Sequence, residues 1–170
     1  DLVTGVQTCA LPNLKTIEPN TTTLSSNNAY WMARIAQAVY SKKSENDPFP
    51  DEVKILADLK AEDPNFIQVY GYSKDSAQGA LIEHKNYFCF AFRGTDEMKD
   101  WLDNVNVFAE KALFGEFHRG FWKSLDDLWD ALYGQYKALW KTDVDKNVIV
   151  NGKLVITTKP RPIFITGHSL

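Results

Sequence analysis

The chain has 170 residues, 44% of them hydrophobic and 24% charged, which is one domain's worth with enough apolar content for a core. Nineteen Lys and Arg stand against 22 Asp and Glu, a net charge of −3, so there is no cationic excess to neutralise phosphates and nucleic-acid binding is disfavoured. Two cysteines, Cys9 and Cys89, cannot build a disulfide framework or a four-cysteine zinc site, and the longest apolar run, Tyr87 to Phe92, is far short of a membrane span.

Asp1 to Pro12 shares no periodicity with the rest of the chain. The string resembles a translated sequencing-adapter read-through and reads as a non-native leader. Asn13 to Asn28, rich in Thr, Asn and Ser, reads as a flexible arm. A helix is expected over Ala29 to Ser41, with Ala29, Met32, Ala33, Ala36, Val39 and Tyr40 on one face and Asn27 or Asn28 as its cap. Pro48 and Pro50 break the chain. A second helix is expected over Asp51 to Ala61, with Val53, Leu56, Ala57 and Lys60 on one side and Pro64 beyond its end.

Three strands are expected at Phe66 to Tyr72, Ala80 to His84 and Tyr87 to Phe92, with turns at Gln78-Gly79 and Lys85-Asn86. The third is apolar throughout, as suits a strand covered on both faces, and it runs into Arg93-Gly94-Thr95. A short helix fits Asp96 to Val105, with Met98, Trp101, Leu102 and Val105 at i, i+3, i+4 and i+7. Thr95 suits its cap, and Asp96 and Glu97 suit its first turn through the helix dipole. The longest helix is expected over Gly120 to Trp140, whose wide aromatic and leucine stripe is core. Asn151-Gly152 between β-branched runs predicts a hairpin from Val148 to Ile156. Ile163 to Thr166 reads as a last buried strand. Helix, strands, helix and strand in that order make the class α/β.

That last strand ends in Gly167-His168-Ser169-Leu170. A buried strand entering Gly-x-Ser is the front of a nucleophile elbow. The serine must sit on a sharp strand-to-helix turn so that its hydroxyl projects, and residues two away must be small. Gly167 meets that need upstream. The backbone N–H of the residue after the serine, Leu170, would face a developing oxyanion. His168 adjoins the serine and points elsewhere, so it is a poor base. His84 and His118 precede the elbow and read as structural or surface histidines. No histidine pair has metal-ligand spacing.

Four segments together resemble the class 3, or fungal-type, lipase family. Tyr87 to Thr95 is similar to its strand and oxyanion loop, Asp100-Trp101-Leu102-Asp103 to its lid tryptophan region, His118-Arg119-Gly120-Phe121 to its segment before the long helix, and Ile163 to Leu170 to the approach to its nucleophile. The resemblance covers about Ala29 to Leu170. It implies an α/β-hydrolase fold, a mostly parallel sheet with flanking helices, truncated after the nucleophile strand, so that residues 29–170 form part of a domain. It implies Ser169 as acyl nucleophile, Thr95 and Leu170 as oxyanion donors, and Met98, Trp101, Leu102 and Val105 as a helical lid over the substrate groove. The implied substrate is a lipid ester at a lipid–water interface, with no cofactor and no metal. In that family the catalytic aspartate and histidine follow the elbow, so the 170 residues alone are expected to be inactive, with exposed apolar surface. The hairpin-like segment Val148 to Thr157 departs from the compact fungal pattern as an insertion. Two other readings remain open: a hydrolase-like protein kept for binding or signalling, and a phospholipase or esterase without interfacial activation. Compartment, head group, acyl chain and oligomeric state are unassigned.

Overall fold

The computed structural model describes residues 16–75, 77–94, 109–112, 115–144, 148–155 and 160–168. The expected leader, Asp1 to Pro12, lies outside the described residues.

Helix α1 spans Ser26–Ala38. Its cap is Ser25, whose Oγ accepts the Asn28 N–H, and not Asn27 or Asn28. The Asn28 side chain turns back instead, accepting from Glu18 N at 2.7 Å and donating to Glu18 O at 3.0 Å. Just upstream, Ile17 is buried. The face that α1 buries is set by its bulk. Trp31, Ile35 and Ala38 fall at i, i+4 and i+7 and enter the core; of the expected stripe, Ala36 and Val39 are buried and Met32 and Tyr40 pack against the core, while Ala29 and Ala33 are exposed.

Helix α2 spans Glu52–Glu62, with Asp51 accepting from Lys54 N. It buries Ile55 and Leu59, while Val53 is 77% exposed, so the expected face is corrected. Ile55 and Leu59 are the i, i+4 pair of branched residues that removes most apolar area from water.

Strands β1 (Phe66–Lys74), β2 (Ala77–His84) and β3 (Tyr87–Arg93) form an antiparallel meander. Gln78 and Gly79 lie inside β2, not in a turn, because both pair with β1 on one side and with β3 on the other. The reversal falls nearer Asp75, which takes a positive φ of 51°. Lys85-Asn86 is the second turn, as expected.

Next comes a hairpin that the sequence does not signal: β4 (Ala109–Ala112) and β5 (Gly115–His118). Helix α3 spans Arg119–Val144. The expected Asn-Gly hairpin is present as β6 (Val148–Val150) and β7 (Lys153–Val155), with Asn151 and Gly152 both at positive φ as a two-residue turn requires.

Strand β8 (Ile163–His168) pairs with β3 in parallel and completes the order β1-β2-β3-β8. The described sheet is therefore mixed rather than mostly parallel. Helices cover both faces. Trp31, Ile35, Ile55, Leu59 and the β-strand residues Phe66, Val69, Ile82 and Cys89 pack on the α1–α2 side. Leu81, Phe88 and Phe90 meet Leu128 and Leu132 of α3 on the other. Helix α3 lies over β1 and β2, leaving the corresponding face of β8 uncovered among the described residues. Ile163 is 43% and Ile165 67% exposed there, so the last strand is covered on one face only.

Candidate functional site at the ends of two parallel strands

Parallel strands bring their carboxyl ends to one edge of a sheet, and ligands of open α/β sheets bind beyond those ends. Here Phe92 pairs with Gly167 and Arg93 with His168. The ladder closes with the Gly94 N–H on the His168 carbonyl at 3.1 Å. Upstream, the Thr166 hydroxyl donates to the Met32 carbonyl of α1 at 3.0 Å, which fixes β8 to the helix beneath it. Arg93 is 5% exposed on the same strand end.

Tyr40, just past the end of α1, reaches this edge. Its hydroxyl donates to the His168 carbonyl at 2.8 Å, accepts the Gly94 N–H at 3.2 Å and lies 3.2 Å from His168 Nδ1. The two rings meet edge to face at 5.8 Å. The hydroxyl has one proton, and the carbonyl takes it, so the Nδ1 contact is an imidazole N–H donating to Tyr40. Sequence periodicity places Tyr40 in an apolar stripe and misses this role. The one available signal is a hydroxyl at the last position of that stripe, where the helix ends and backbone groups of other elements begin.

The residues expected to carry chemistry follow directly on the two strand ends, Thr95 and the lid residues after Gly94, and Ser169 and Leu170 after His168. Ser169 and Leu170 lie outside the described residues, as do Thr95 and the lid residues Met98, Trp101, Leu102 and Val105. The immediate predecessors of Thr95 and Ser169, Gly94 and His168, are hydrogen-bonded to each other.

His84 sits at the opposite end of the sheet and is 1% exposed. Its Nδ1 accepts the Asn86 N–H at 3.1 Å, so Nε2 carries the proton and donates to Asp63 Oδ2 at 3.1 Å. The ring is thus neutral, and burial, the largest influence, pushes its pKa below the usual histidine value, only partly offset by Asp63. Burial raises the pKa of Asp63, but hydrogen bonds from Asn65 and His84 outweigh it and hold the carboxyl below its usual range. The ring stacks on Tyr87 and meets Phe66 edge to face. With no nucleophile bonded to it among the described residues, this pair reads as a structural anchor.

Arg161 lies at the same end, just before β8. It donates to Asp143, Glu83 and the His84 carbonyl. Cys89 is wholly buried, and burial pushes its thiol pKa up, which removes it as a thiolate nucleophile. Among the described residues no group of three or more His, Cys, Asp or Glu could hold a metal ion, and no helix is long and apolar enough to cross a membrane.

No protein-family profile and no curated relative matches the chain. Solved structures do match. One is a triacylglycerol lipase whose catalytic centre is formed by a serine protease triad, with a TM-score of 0.50 at 13% identity, covering 70% of this chain and 47% of that one. Another is the Rhizomucor miehei triacylglyceride lipase, with a TM-score of 0.48, the same identity and the same coverage. The chain thus spans about half the length of the lipases it matches. The first likeness shows the fold: the described sheet and helices are a lipase-like, α/β-hydrolase-like arrangement.

Proposed function

We propose that this chain belongs to a serine hydrolase that cleaves carboxylic esters of lipids through an acyl-serine intermediate. The observation that carries this reading is the parallel pairing of β3 with β8, ending at Gly94 and His168 within a lipase-like fold. A strand that delivers Thr95 beside a strand that delivers Ser169 is the arrangement an acyl-transfer site requires. The nucleophile must attack a carbonyl whose oxygen reaches the oxyanion donors.

In this mechanism the Ser169 hydroxyl loses its proton to a histidine base and attacks the ester carbonyl. The N–H groups of Thr95 and Leu170 stabilise the tetrahedral oxyanion. The alcohol leaves with the proton, and water then hydrolyses the acyl-serine. Loss of one oxyanion donor costs about 3 kcal/mol of transition-state stabilisation. No cofactor takes part. Met98, Trp101, Leu102 and Val105 form the apolar face of a lid that covers the acyl groove in water and contacts lipid when displaced. Residues 29–170 are on this reading part of a hydrolase domain.

On this reading the base is neither His84, anchored at the far end of the sheet, nor His168, whose ring is bound to Tyr40. In the protein expressed from its complete reading frame, Ser169→Ala should abolish hydrolysis of p-nitrophenyl butyrate while the circular dichroism stays native. Turnover retained by Ser169→Ala refutes the reading.

A further inference from the structure

The hydroxyl of Tyr40 touches both strand ends that would carry the chemistry. It accepts the Gly94 N–H and donates to the His168 carbonyl, and those two groups also bond each other. Gly94 is covalently joined to Thr95, and His168 to Ser169. One oxygen, held by a ring that packs on the α1 core, therefore sets the separation of the two peptides that precede the oxyanion donor and the nucleophile. Strand β8 needs such a fix. Among the described residues it has a sheet partner on one side only, and its α3-side face is uncovered. Backbone pairing by itself leaves the end of an edge strand free to fray.

We propose that Tyr40 is a positioning residue for ester hydrolysis: its hydroxyl clasps the Gly94 and His168 peptides and so sets the distance between oxyanion site and nucleophile. This rests on the serine-hydrolase reading. Tyr40 does not touch substrate or the reacting atoms. Its role is to keep the Thr95 N–H within reach of the oxygen that becomes negative when Ser169 attacks. Misplacement of about 1 Å at such a site costs up to about a hundredfold in rate. A fold held by the rest of the sheet limits the error to a fraction of that distance.

The test uses the protein from its complete reading frame, with p-nitrophenyl butyrate as substrate and a butyl boronic acid as a reversible mimic of the tetrahedral state. Tyr40→Phe removes one oxygen and keeps the ring. The expected result is a fall in kcat of about tenfold with KM within about twofold, and a matching rise in the boronate inhibition constant. A purely structural role would lower the melting temperature and the active fraction, yet leave boronate affinity unchanged in the folded enzyme. Unchanged kcat and boronate affinity in Tyr40→Phe, with Ser169→Ala inactive, overturns the clasp and leaves the hydrolase reading standing. An active Ser169→Ala overturns the hydrolase reading and the clasp's function with it. Should Tyr40→Phe fail to fold, the native protein decides. Its Tyr40 hydroxyl proton must be protected well enough from exchange to give a resonance of its own with through-space contacts to Gly94 and His168, and a hydroxyl that exchanges as in free tyrosine refutes the clasp.

Discussion

Replacing Arg161 by methionine should weaken the fold by several kcal/mol. Arg161 lies between Pro160 and Pro162, which restrict its backbone and present its side chain to the sheet. Nε donates to Asp143 Oδ2 at 2.7 Å, Nη2 to Glu83 Oε1 at 3.0 Å and Nη1 to the His84 carbonyl at 2.8 Å, and the guanidinium lies 4.0 Å over the Phe88 ring. One side chain thus joins the end of α3, the end of β2, the start of β3 and the entry to β8. The arginine side chain is 13% exposed, and those of both acids 11%, so solvent screens the pairs little. Methionine keeps the apolar stem over Phe88 and removes every donor. Truncating one partner of a buried pair costs about 3–5 kcal/mol, most of it from the charges left behind. Glu83 keeps the Tyr70 hydroxyl on its other oxygen at 3.4 Å, which puts the expected loss at the lower end of that range, about 3 kcal/mol. For a chain of this length that lowers the melting temperature by roughly 9 °C. Urea unfolding followed by tryptophan fluorescence measures it, with the slope on urea unchanged. Arg161→Lys keeps a charge but not the fork and should fall between the two. A loss below about 1 kcal/mol for Arg161→Met would refute the view that this side chain anchors the lower end of the sheet.

The buried His84 gives a pH dependence of definite sign. Its folded pKa lies below the ordinary value of 6.5, so the unfolded chain binds the extra proton first as pH falls. Its contribution is full above about pH 6.5 and is lost as pH drops from there toward the folded pKa. Stability measured from pH 8 to pH 5 should decline, and His84→Gln should flatten that decline; an equally steep profile in the variant excludes His84 as its source. Ile165, 67% exposed on the uncovered face of β8, tests that face. In the 170-residue chain, Ile165→Lys should change stability by less than about 0.5 kcal/mol and reduce aggregation in light scattering, as a charge on an edge strand does. A loss of several kcal/mol instead means that Ile165 is buried.

Legibility tracks local chemistry. The Asn151-Gly152 hairpin is readable because two positive-φ residues in a row have few other uses. Strand β3 is readable because both of its faces are covered. The face of α2 is misread and that of α1 is read in part, because spacing admits several stripes, and only packing against the sheet selects Trp31–Ile35 and Ile55–Leu59 as their centres. The Gln78-Gly79 turn is misread because glycine inside a paired strand carries the same local signal as glycine in a turn. Hairpin β4–β5 has no alternation strong enough to announce it. At the candidate site the motif residues are legible as a string, one segment at a time. The tyrosine that ties two of those segments together lies 128 residues from His168 and belongs to neither, so no motif contains it.

The two ends of β8 explain why the sheet can place a site at its edge. An internal strand is positioned by hydrogen bonds on both sides, whereas β8 has them from β3 alone among the described residues. Its lower end is set by Arg161 and by the Phe88 N–H on the Pro162 carbonyl at 2.9 Å. Its middle is set by Thr166 on Met32, and its upper end by Tyr40. The three side-chain fixings lie off the ladder, and each links β8 to an element that the core already holds. The consequence is separable. Loss of the Arg161 anchor at the lower end should appear mainly in global stability, because it leaves buried charge. Loss of the Tyr40 hydroxyl at the upper end should appear mainly in turnover, because Gly94 and His168 keep their mutual hydrogen bond and only the tie of that pair to the end of α1 is released. If Tyr40→Phe and Arg161→Met instead lower stability and turnover in the same proportion, β8 moves as a rigid unit and its upper end has no independent control over the site.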